Sequence, residues 1–480
     1  MNDRKGFGSN FGFLMAAVGS AVGLGNIWGF PNKMGANGGF PFLILYLALA
    51  LCCGVIIMLG ELALGRKTGH GAVGAYQSIS KRFKWLGWLG IAAAALIFSF
   101  YSALGGYCLR YVVVNFGNLI GAEFGTNGVG GADVFQGLLS QPDVSIAFAL
   151  AFMLITMLVV MSGVGGGIER VCSVGMPALF FILIICIIRS CTLPGAADGL
   201  KYMFVPGWAV ANGIIDEAPG FWRVLTAAGG QMFFSLSLGA GVMITYGSYL
   251  DKKQDLGKSA MIIVGMDTVV ALMAGLCVIP GRFALDPNGA LGGPELLFIT
   301  MQNVFDKMGP AGPVFGILFY LLVFFAAISS SISMLEVIVA HFCDKAREKG
   351  KGDRRKLYSA IAVVICAALC ALVCADGMGS NHISPAELLG LAGAKLPGWS
   401  TSWLGLFDSV AEGLLMPLGA LLMCLMISWE LKPDALRQEI LLNGENRPWV
   451  YDFFRLCVKY ITPLCMLMIL YGQISDFFIA

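Results

Sequence analysis

The sequence predicts an all-α membrane protein whose chain crosses the bilayer eleven times. Three observations lead to this prediction: hydrophobic residues make up 58% of the 480 residues, charged residues make up only 12%, and the apolar residues are gathered in long runs. Soluble proteins carry about 25% charged residues. Membrane proteins carry fewer, because charge is costly in hydrocarbon. The composition therefore excludes a disordered chain and, at a net charge of +2, a basic nucleic-acid-binding protein.

Each predicted span is an apolar run of about 20 residues, the length that a helix needs to cross the hydrocarbon core. No run shows the alternation of a membrane β-strand, which favours a helix bundle over a barrel. The first run lacks a cleavage site, so we expect it to stay in the mature protein. The runs are 11–30, 41–64, 86–116, 145–162, 172–192, 223–250, 257–280, 312–344, 357–375, 405–430 and 450–475.

The charged loops predict the orientation of the chain. Lysine and arginine cluster after the second, sixth and eighth runs, whereas the segment 117–143 contains neither residue. Because basic loops remain in the cytoplasm, we expect a cytoplasmic N-terminus and, after eleven spans, an extracytoplasmic C-terminus. The fourteen cysteines are scattered through apolar runs, and the three histidines show no metal or triad spacing. An enzyme, a zinc site and a disulfide framework are therefore disfavoured.

Two runs contain stretches that are poor helix interiors. Gly19–Asn26 holds three glycines and an asparagine in eight residues, and Gln231–Gly241 is a similar stretch in the sixth run. Close packing of small residues would explain the glycines but would leave Asn26 buried without a role. Broken helices five runs apart fit two inverted five-helix repeats, which we place at 1–192 and 223–430, followed by an eleventh helix at 450–480. Freed backbone groups at such breaks would bind a zwitterion together with a cation.

Run seven contains an acid, Asp267, behind the apolar Ile262–Val264. An acidic side chain at membrane depth is a functional candidate, and this one could bind sodium or carry a proton. Run eight contains several serines. For Ser331 and Ser333 we expect bonding to the preceding helical turn rather than a role in a site.

These residues resemble the neurotransmitter:sodium symporter family. The resemblance covers the whole chain and implies the inverted five-plus-five repeat, with helices 1 and 6 unwound at mid-membrane. It is strongest for the bacterial, leucine-transporter-like branch with eleven helices, whose members carry aromatic and large aliphatic amino acids. A bacterial plasma (inner) membrane location and a monomer or weak homodimer are implied as well. The matching motifs are Gly19–Asn26, Phe30-Pro31, Asn37–Gly39, Glu61 with Gly65-Arg66, Gln231–Gly239 and Ser329-Ser330.

The resemblance implies two sodium ions, bound by oxygen ligands that suit a hard cation. The first ion would be bound by the Ala21 carbonyl, Asn26, Ser235, Asp267 and the substrate carboxylate. Many members have asparagine at the position of Asp267, and we interpret its fixed negative charge as removing any need for chloride. The second site would comprise the carbonyls of Gly19, Val22 and Ala326 and the hydroxyls of Ser329 and Ser330.

The resemblance also implies how a substrate would bind. Its carboxylate would meet the amides of Leu24 and Gly25 and the hydroxyl of Tyr101, and its ammonium would meet the carbonyls of Ala21 and Phe234. Monoamine carriers have aspartate at the position of Gly23, so glycine there favours an amino acid. Ala240 replaces a larger residue and leaves room for an aromatic or large aliphatic side chain. The side-chain pocket would be Ser20, Ile97, Tyr101, Ser237, Ala240, Ser330 and Met334, with Phe234 as its lid.

Gates on both sides of the pocket follow from the same resemblance. A cytoplasmic closing network would consist of Arg4, Phe7, Tyr249 and Asp344. On the outer side Asp408 matches the family's gate acid, but its usual arginine partner is replaced by Gly29. We expect Lys33, one turn further along, to substitute for that arginine, or Phe234 and Tyr101 to close the pocket instead.

The sequence therefore predicts secondary active transport, in which sodium drives the import of an amino acid by alternating access. Proton coupling through Asp267 or Glu61 is the closest alternative. An ion channel is an alternative of a different class, although a channel usually needs a continuous pore between symmetric subunits.

Overall fold

The computed structural model describes residues 6–126, 128–288, 293, 295–352, 354–390, 398–431, 433–441 and 448–478. Within these ranges the chain forms helices and turns and no strand. The helices that build the bundle are α1 (Asn10–Ala21), α2 (Gly25–Ala36), α3 (Phe40–Thr68), α4 (Lys81–Ile120), α5 (Pro142–Met161), α6 (Val164–Cys191), α7 (Phe221–Leu236), α8 (Val242–Gly247), α9 (Leu256–Leu285), α10 (Gly309–Glu348), α11 (Arg355–Gly379), α12 (Trp403–Leu431) and α13 (Pro448–Ser475).

Nine of the helices in the described ranges are long and apolar enough to cross a membrane, and the bent pair α1–α2 makes a tenth candidate. The predicted sixth run corresponds to the pair α7 and α8, in which α7 has only 16 residues. Shorter helices occupy the connections, at Ala72–Ile79, Gly131–Leu139, Ala196–Phe204, Trp208–Ala211, Met301–Lys307, Pro385–Leu388 and Arg437–Ile440.

Local sequence explains where several helices begin and end. Ser9 accepts a hydrogen bond from the Gly12 amide and starts α1, and Asp255 accepts one from the Lys258 amide and starts α9. Left-handed glycines end α3 and α4, at Gly69 (φ 67°) and Gly121 (φ 68°). Most predicted spans agree with these helices to within a few residues. The end predicted for the first run at residue 30 is wrong, because Pro31 lies in the first turn of a helical segment that continues to Ala36.

The two helix breaks are narrower than the glycine-rich stretches predicted. α1 remains helical through Ala21, and Val22 leaves the helix with ψ 99°. Gly19 therefore lies in a helix, where an added Cβ would approach the Cys172 sulfur to 3.3 Å, so this glycine permits close packing. Likewise, α7 is helical from Phe221 to Leu236, and the second break comprises residues 237–241.

Helix α10 lies at the centre of the bundle and packs along α4, α6 and α1. Its segment 326–340 is almost wholly buried, as is the segment 97–108 of α4. Of the broken helices, α1 and α8 pack against α10.

Candidate functional site

The break in the first helix is bridged by two hydrogen bonds between Asn26 and Gly23. The Asn26 side-chain oxygen accepts a hydrogen bond from the backbone amide of Gly23 (3.0 Å). The Gly23 carbonyl accepts one from the backbone amide of Asn26 (3.1 Å). The second break uses left-handed backbone at Ser237 (φ 53°), Gly239 (φ 79°) and Gly241 (φ 74°). Glu61 of α3 accepts a 2.7 Å hydrogen bond from the Gly239 amide, which satisfies a donor exposed by that break.

Three of the four residues predicted for the first sodium site are in contact. The Asp267 carboxylate accepts hydrogen bonds from the Asn26 amide nitrogen (2.7 Å) and from the Ser235 hydroxyl (3.0 and 2.9 Å to its two oxygens). All three residues are buried. Carboxylate, amide and hydroxyl oxygens are the ligand types that suit a hard cation. Ala21, the fourth residue, is buried at the end of α1.

The atoms predicted for the second sodium site are also close together. The Ser329 hydroxyl oxygen lies 2.9 Å from the Ala326 carbonyl oxygen and 3.4 Å from that of Val22, and the Ser330 hydroxyl lies 3.4 Å from the Gly19 carbonyl. Oxygens that share a hard cation at about 2.4 Å lie roughly 3.4 Å apart when the ligand angle is near 90°. Two of these three distances match this separation, and the third is the hydrogen bond of Ser329 to the preceding turn of its own helix.

The backbone between the two parts of the first helix faces Tyr101. The Leu24 amide donates a 2.7 Å hydrogen bond to the Tyr101 hydroxyl. An added Cβ at Gly23 would lie 2.6 Å from the same hydroxyl, so a larger residue requires a shift of its neighbours. The Phe234 ring lies 6.3 Å from the Tyr101 ring, and an added Cβ at Gly25 would lie 3.0 Å from it. Phe234 therefore covers the space next to the first break.

Ser20 links the pocket residues of three helices. Its carbonyl accepts hydrogen bonds from the hydroxyls of Ser237 (3.1 Å) and Ser330 (3.0 Å), and its own hydroxyl donates to Ser333 (2.7 Å). Ser333 also donates to the Ser330 carbonyl, and Ser331 donates to the Ile328 carbonyl, which agrees with the back-bonding predicted for both. The remaining pocket residues are at most 5% exposed: Ile97, Ala240 and Met334.

The N-terminal closing network is present only in part within the described residues, because Arg4 lies outside them. The Phe7 ring makes edge contacts with the rings of Tyr249 (6.2 Å) and Phe13 (5.5 Å). Asp344 accepts a hydrogen bond from the Gly71 amide (3.2 Å). Phe7 is followed by Gly8 and Ser9, which bind the Glu169 carboxylate at 2.7 and 2.9 Å.

On the opposite side of the pocket, Lys33 forms an ion pair, but with Glu412 rather than with Asp408. Asp408 lies one turn before Glu412 on α12 and interacts electrostatically with both charges. The prediction that Lys33 pairs with Asp408 is therefore wrong about the acid, which is Glu412. Gly29, where the family has its gate arginine, has the Gln231 side-chain oxygen 2.9 Å from the position of an added Cβ.

Sequence reasoning missed several polar side chains of the site. The Tyr46 hydroxyl donates to Asp267 (3.1 Å), and Gln231 donates to the Gly25 carbonyl (2.6 Å). Glu336 accepts from the Tyr249 hydroxyl (2.6 Å) and from Arg355 (2.5 and 3.0 Å). The presence of Glu336 and Glu412 inside apolar runs was the available signal, since buried acids need a partner.

Known proteins resemble this chain in both sequence and fold. A profile described as the sodium:neurotransmitter symporter family matches residues 4–127 and 132–478. An uncharacterized sodium-dependent transporter, YhdH of Bacillus subtilis, is 36% identical over 477 residues and covers 97% of both chains. The sodium-dependent nutrient amino acid transporter 1 of Drosophila ananassae is 26% identical over 422 residues, covering 72% of this chain and 63% of that one. The crystal structure of MhsT in complex with L-phenylalanine superposes with a TM-score of 0.83 at 34% identity, covering 98% of this chain and all of that one.

A bundle of apolar helices with buried oxygen ligands at two helix breaks is typical of membrane transporters, and this protein is a transporter, not an enzyme. The chain belongs to the sodium:neurotransmitter symporter family.

Proposed function

We propose that the protein imports a zwitterionic amino acid, coupled to sodium, by alternating access in a bacterial inner membrane. The observation that carries the proposal is that Asn26 and Ser235, one from each broken helix, both bind the buried carboxylate of Asp267 on α9. A sodium ion at this position would contact the substrate carboxylate next to Leu24 and Tyr101. Direct contact between the two ligands makes coupling reciprocal, because each then raises the affinity for the other.

The substrate we propose is an aromatic or large aliphatic amino acid. The small Ala240 and the flexible Met334 leave room for a large side chain, and Gly23 supplies no carboxylate that could pair with a lone amine. The phenylalanine in the similar structure of MhsT supports this class. We further propose two sodium ions and no chloride requirement, because Asp267 supplies a fixed negative charge.

The architecture we propose is eleven spans with an inverted repeat, 1–192 and 223–430, and the last helix at 450–480. The N-terminus is cytoplasmic and the C-terminus extracytoplasmic. Both helix breaks then lie near mid-membrane, between Lys33 on the outer side and Phe7 on the inner side. A monomer or weak homodimer suffices, since every proposed site residue comes from one chain.

The experiment that tests the proposal is a thermal-shift screen of the twenty amino acids in sodium and in potassium. We expect aromatic or large aliphatic amino acids to raise the melting temperature in sodium only, since a ligand stabilises the state that binds it. Uptake into proteoliposomes with a sodium gradient and a collapsed proton gradient then separates sodium from proton coupling. Equal stabilisation in both salts contradicts the proposal, and single-channel current without saturable uptake supports a channel.

A further inference from the structure

A cavity of about 260 Å³ lies between α4, α5 and the connecting helix Gly131–Leu139. None of the described residues that line it was predicted for the substrate or sodium sites. An added Cβ at Gly106 would lie 2.6 Å from the Ala149 nitrogen, so α4 and α5 are in direct contact at that level. The cavity begins one turn further along α4, at Arg110. Its apolar lining includes Val114, Val129, Val134 and Val144.

Arg110 is a charged residue inside an apolar span. It is half-buried on α4, and its guanidinium carbon lies 5.9 Å from the centre of the Phe148 ring of α5. Within the described residues it forms no ion pair and no hydrogen bond. An arginine at membrane depth is costly, and it usually pairs with an anion or faces a water-filled cavity. The unpaired guanidinium therefore favours an anionic ligand in the cavity that it lines.

A carboxylate lines the same cavity. Asp133 lies in the first turn of the helix Gly131–Leu139, and its side chain has no ion pair or hydrogen bond to a described residue either. Two opposite charges that line one cavity without pairing leave space for a ligand between them. Such a ligand needs an anionic group for Arg110 and a cationic group for Asp133. The cavity therefore suits a zwitterion rather than a simple anion.

Tyr111 supplies a further polar group. It lines the cavity next to Arg110, and its buried hydroxyl has no hydrogen-bond partner in the part of the chain that the structure describes. This hydroxyl is close enough to the Arg110 guanidinium for the two groups to interact electrostatically. Because a buried hydroxyl without a partner is unfavourable, a ligand that accepts its hydrogen bond is stabilised. An anionic group at Arg110 meets this requirement.

The position of the cavity in the membrane decides which zwitterion fits. Arg110 and Phe148 belong to the spanning helices α4 and α5, and the outward side chains near the cavity, Phe116 and Leu150, are apolar and exposed. Such a surface faces acyl chains, and lipid phosphates lie where spanning helices leave the hydrocarbon core. A phospholipid with a primary ammonium beside its phosphate therefore matches both the two charges and the apolar surroundings.

We propose that the cavity binds the headgroup of phosphatidylethanolamine, with the phosphate at Arg110 and the ammonium at Asp133. In the proposed orientation of the chain, this lipid belongs to the outer leaflet. The site goes beyond the proposed function, because it includes no residue of the candidate amino-acid pocket or of the sodium sites. A lipid bound here joins α4 to the helix Gly131–Leu139 and stabilises the outer end of α4.

The first test is native mass spectrometry of the delipidated protein, titrated separately with phosphatidylethanolamine and phosphatidylcholine. We expect phosphatidylethanolamine to bind about tenfold more tightly, because methylation of the amine removes the donors for Asp133 and leaves the phosphate unchanged. Asp133→Asn should reduce this affinity to that of phosphatidylcholine, and Arg110→Gln should weaken both lipids. Arg189→Gln is the matched control, since Arg189 is half-buried in the last turn of α6 and does not line the cavity. Equal affinity of the wild type for both lipids would overturn the proposal.

The second test locates the lipid amine directly. In vesicles of phosphatidylethanolamine and phosphatidylglycerol, a water-soluble carbodiimide condenses a carboxyl group with an adjacent primary amine to an amide and is itself hydrated to a urea. We expect mass spectrometry to find the headgroup on Asp133 and much less on Asp143, an equally exposed acid in the first turn of α5 that does not line the cavity. Arg110→Gln should lower the yield on Asp133 alone. Equal labelling of the two acids would contradict the site.

A third measurement separates a lipid headgroup from a free zwitterion. Glycine carries the same two charges without acyl chains, and we expect an excess of glycine to leave phosphatidylethanolamine bound. Displacement by glycine would overturn the assignment to a lipid. Asp133→Asn should keep the sodium-dependent thermal shifts with amino acids, so failure of the lipid site and failure of the proposed function give different results.

Discussion

Asp267 accepts a 2.7 Å hydrogen bond from the side chain of Asn26, and this contact joins α9 to the first helix at its break. Asn26 in turn holds the Gly23 amide through its oxygen. Asp267 and the Gly23 amide are thus connected through one side chain, that of Asn26. A cation bound to this carboxylate would stabilise the break as well as the acid.

We expect Asp267→Asn to weaken sodium binding by roughly 10–100-fold, because it removes the only formal charge that the protein supplies among the proposed ligands. If that charge also replaces chloride, the variant should gain stimulation by chloride that the wild type lacks. Sodium titrations of uptake in chloride and in gluconate measure both effects. Stimulation of the wild type by chloride would contradict our interpretation of Asp267.

The hydroxyls of Ser329 and Ser330 should contribute to sodium affinity as well as to the stability of the fold. Each replacement by alanine removes one ligand, which we expect to weaken sodium affinity roughly tenfold. The double variant should lose less than the sum of both, because the two hydroxyls bind the same ion. Sodium-dependent thermal shifts provide the measurement.

Ser331→Ala is the matched control for these variants. Ser331 lies next to Ser330 on the same helix, but its hydroxyl bonds the Ile328 carbonyl and the Thr156 hydroxyl. We expect an unchanged sodium affinity and a small loss of stability. An equal loss of sodium affinity in all three variants would indicate a general effect on α10 rather than a site.

The helices were predictable because each apolar run must be long enough to cross hydrocarbon and must satisfy its own backbone. The residues at which each helix break begins and ends were not predictable from the sequence. Gly19 and Gln231 lie in glycine-rich stretches but stay helical, because Gly19 packs against Cys172 and Gln231 bonds the Gly25 carbonyl. Composition shows that a helix is weak at a place, whereas tertiary contacts decide which residues leave it.

The site was predictable where one motif supplies a whole group of ligands, as in Gly19–Asn26. Partners in distant helices were harder to find. Nothing in the sequence connects Tyr46 with Asp267 or Lys33 with Glu412, since those contacts depend on how the helices rotate against one another. The choice of Asp408 over Glu412 shows the difficulty, because the two acids lie one turn apart on the same face of α12.

Gly23 should be intolerant of any side chain. In Gly23→Ala the new Cβ would lie 2.6 Å from the Tyr101 hydroxyl and 3.0 Å from the Ser330 Cβ. Relief of this overlap would move Tyr101 away from the Leu24 amide, so we expect amino-acid affinity to fall by about tenfold or more. Gly175→Ala is the control, since nothing lies within 4 Å of its added Cβ and alanine favours helices. Equal affinities in the two variants would contradict the proposed position of the substrate.

A final prediction concerns Glu439, which lies outside the spanning helices and joins three segments of the chain. Its carboxylate accepts hydrogen bonds from Arg66 (2.7 Å) and Lys252 (2.6 Å). Burial alone would raise the pKa of Glu439, but the hydrogen bonds and charges of Lys252 and Arg66 outweigh it and lower the pKa below its ordinary value. Arg66 is held firmly as well, because its side chain is 1% exposed and it also donates to the Glu439 carbonyl (2.5 Å).

A carboxyl group whose pKa is lowered on folding stabilises the protein above its unfolded pKa of about 4.3, and this contribution is lost as the pH falls through the folded pKa. The wild type should therefore lose melting temperature as the pH falls below about 4.3, and Glu439→Gln should show a smaller loss. At pH 7 the variant should melt below the wild type, since the buried Arg66 then lacks its charged partner. Melting curves from pH 7 to pH 3 measure both effects, and Glu348→Gln, at the exposed end of α10, serves as the control. Parallel curves for Glu439→Gln and the wild type would show that the network adds nothing to acid stability.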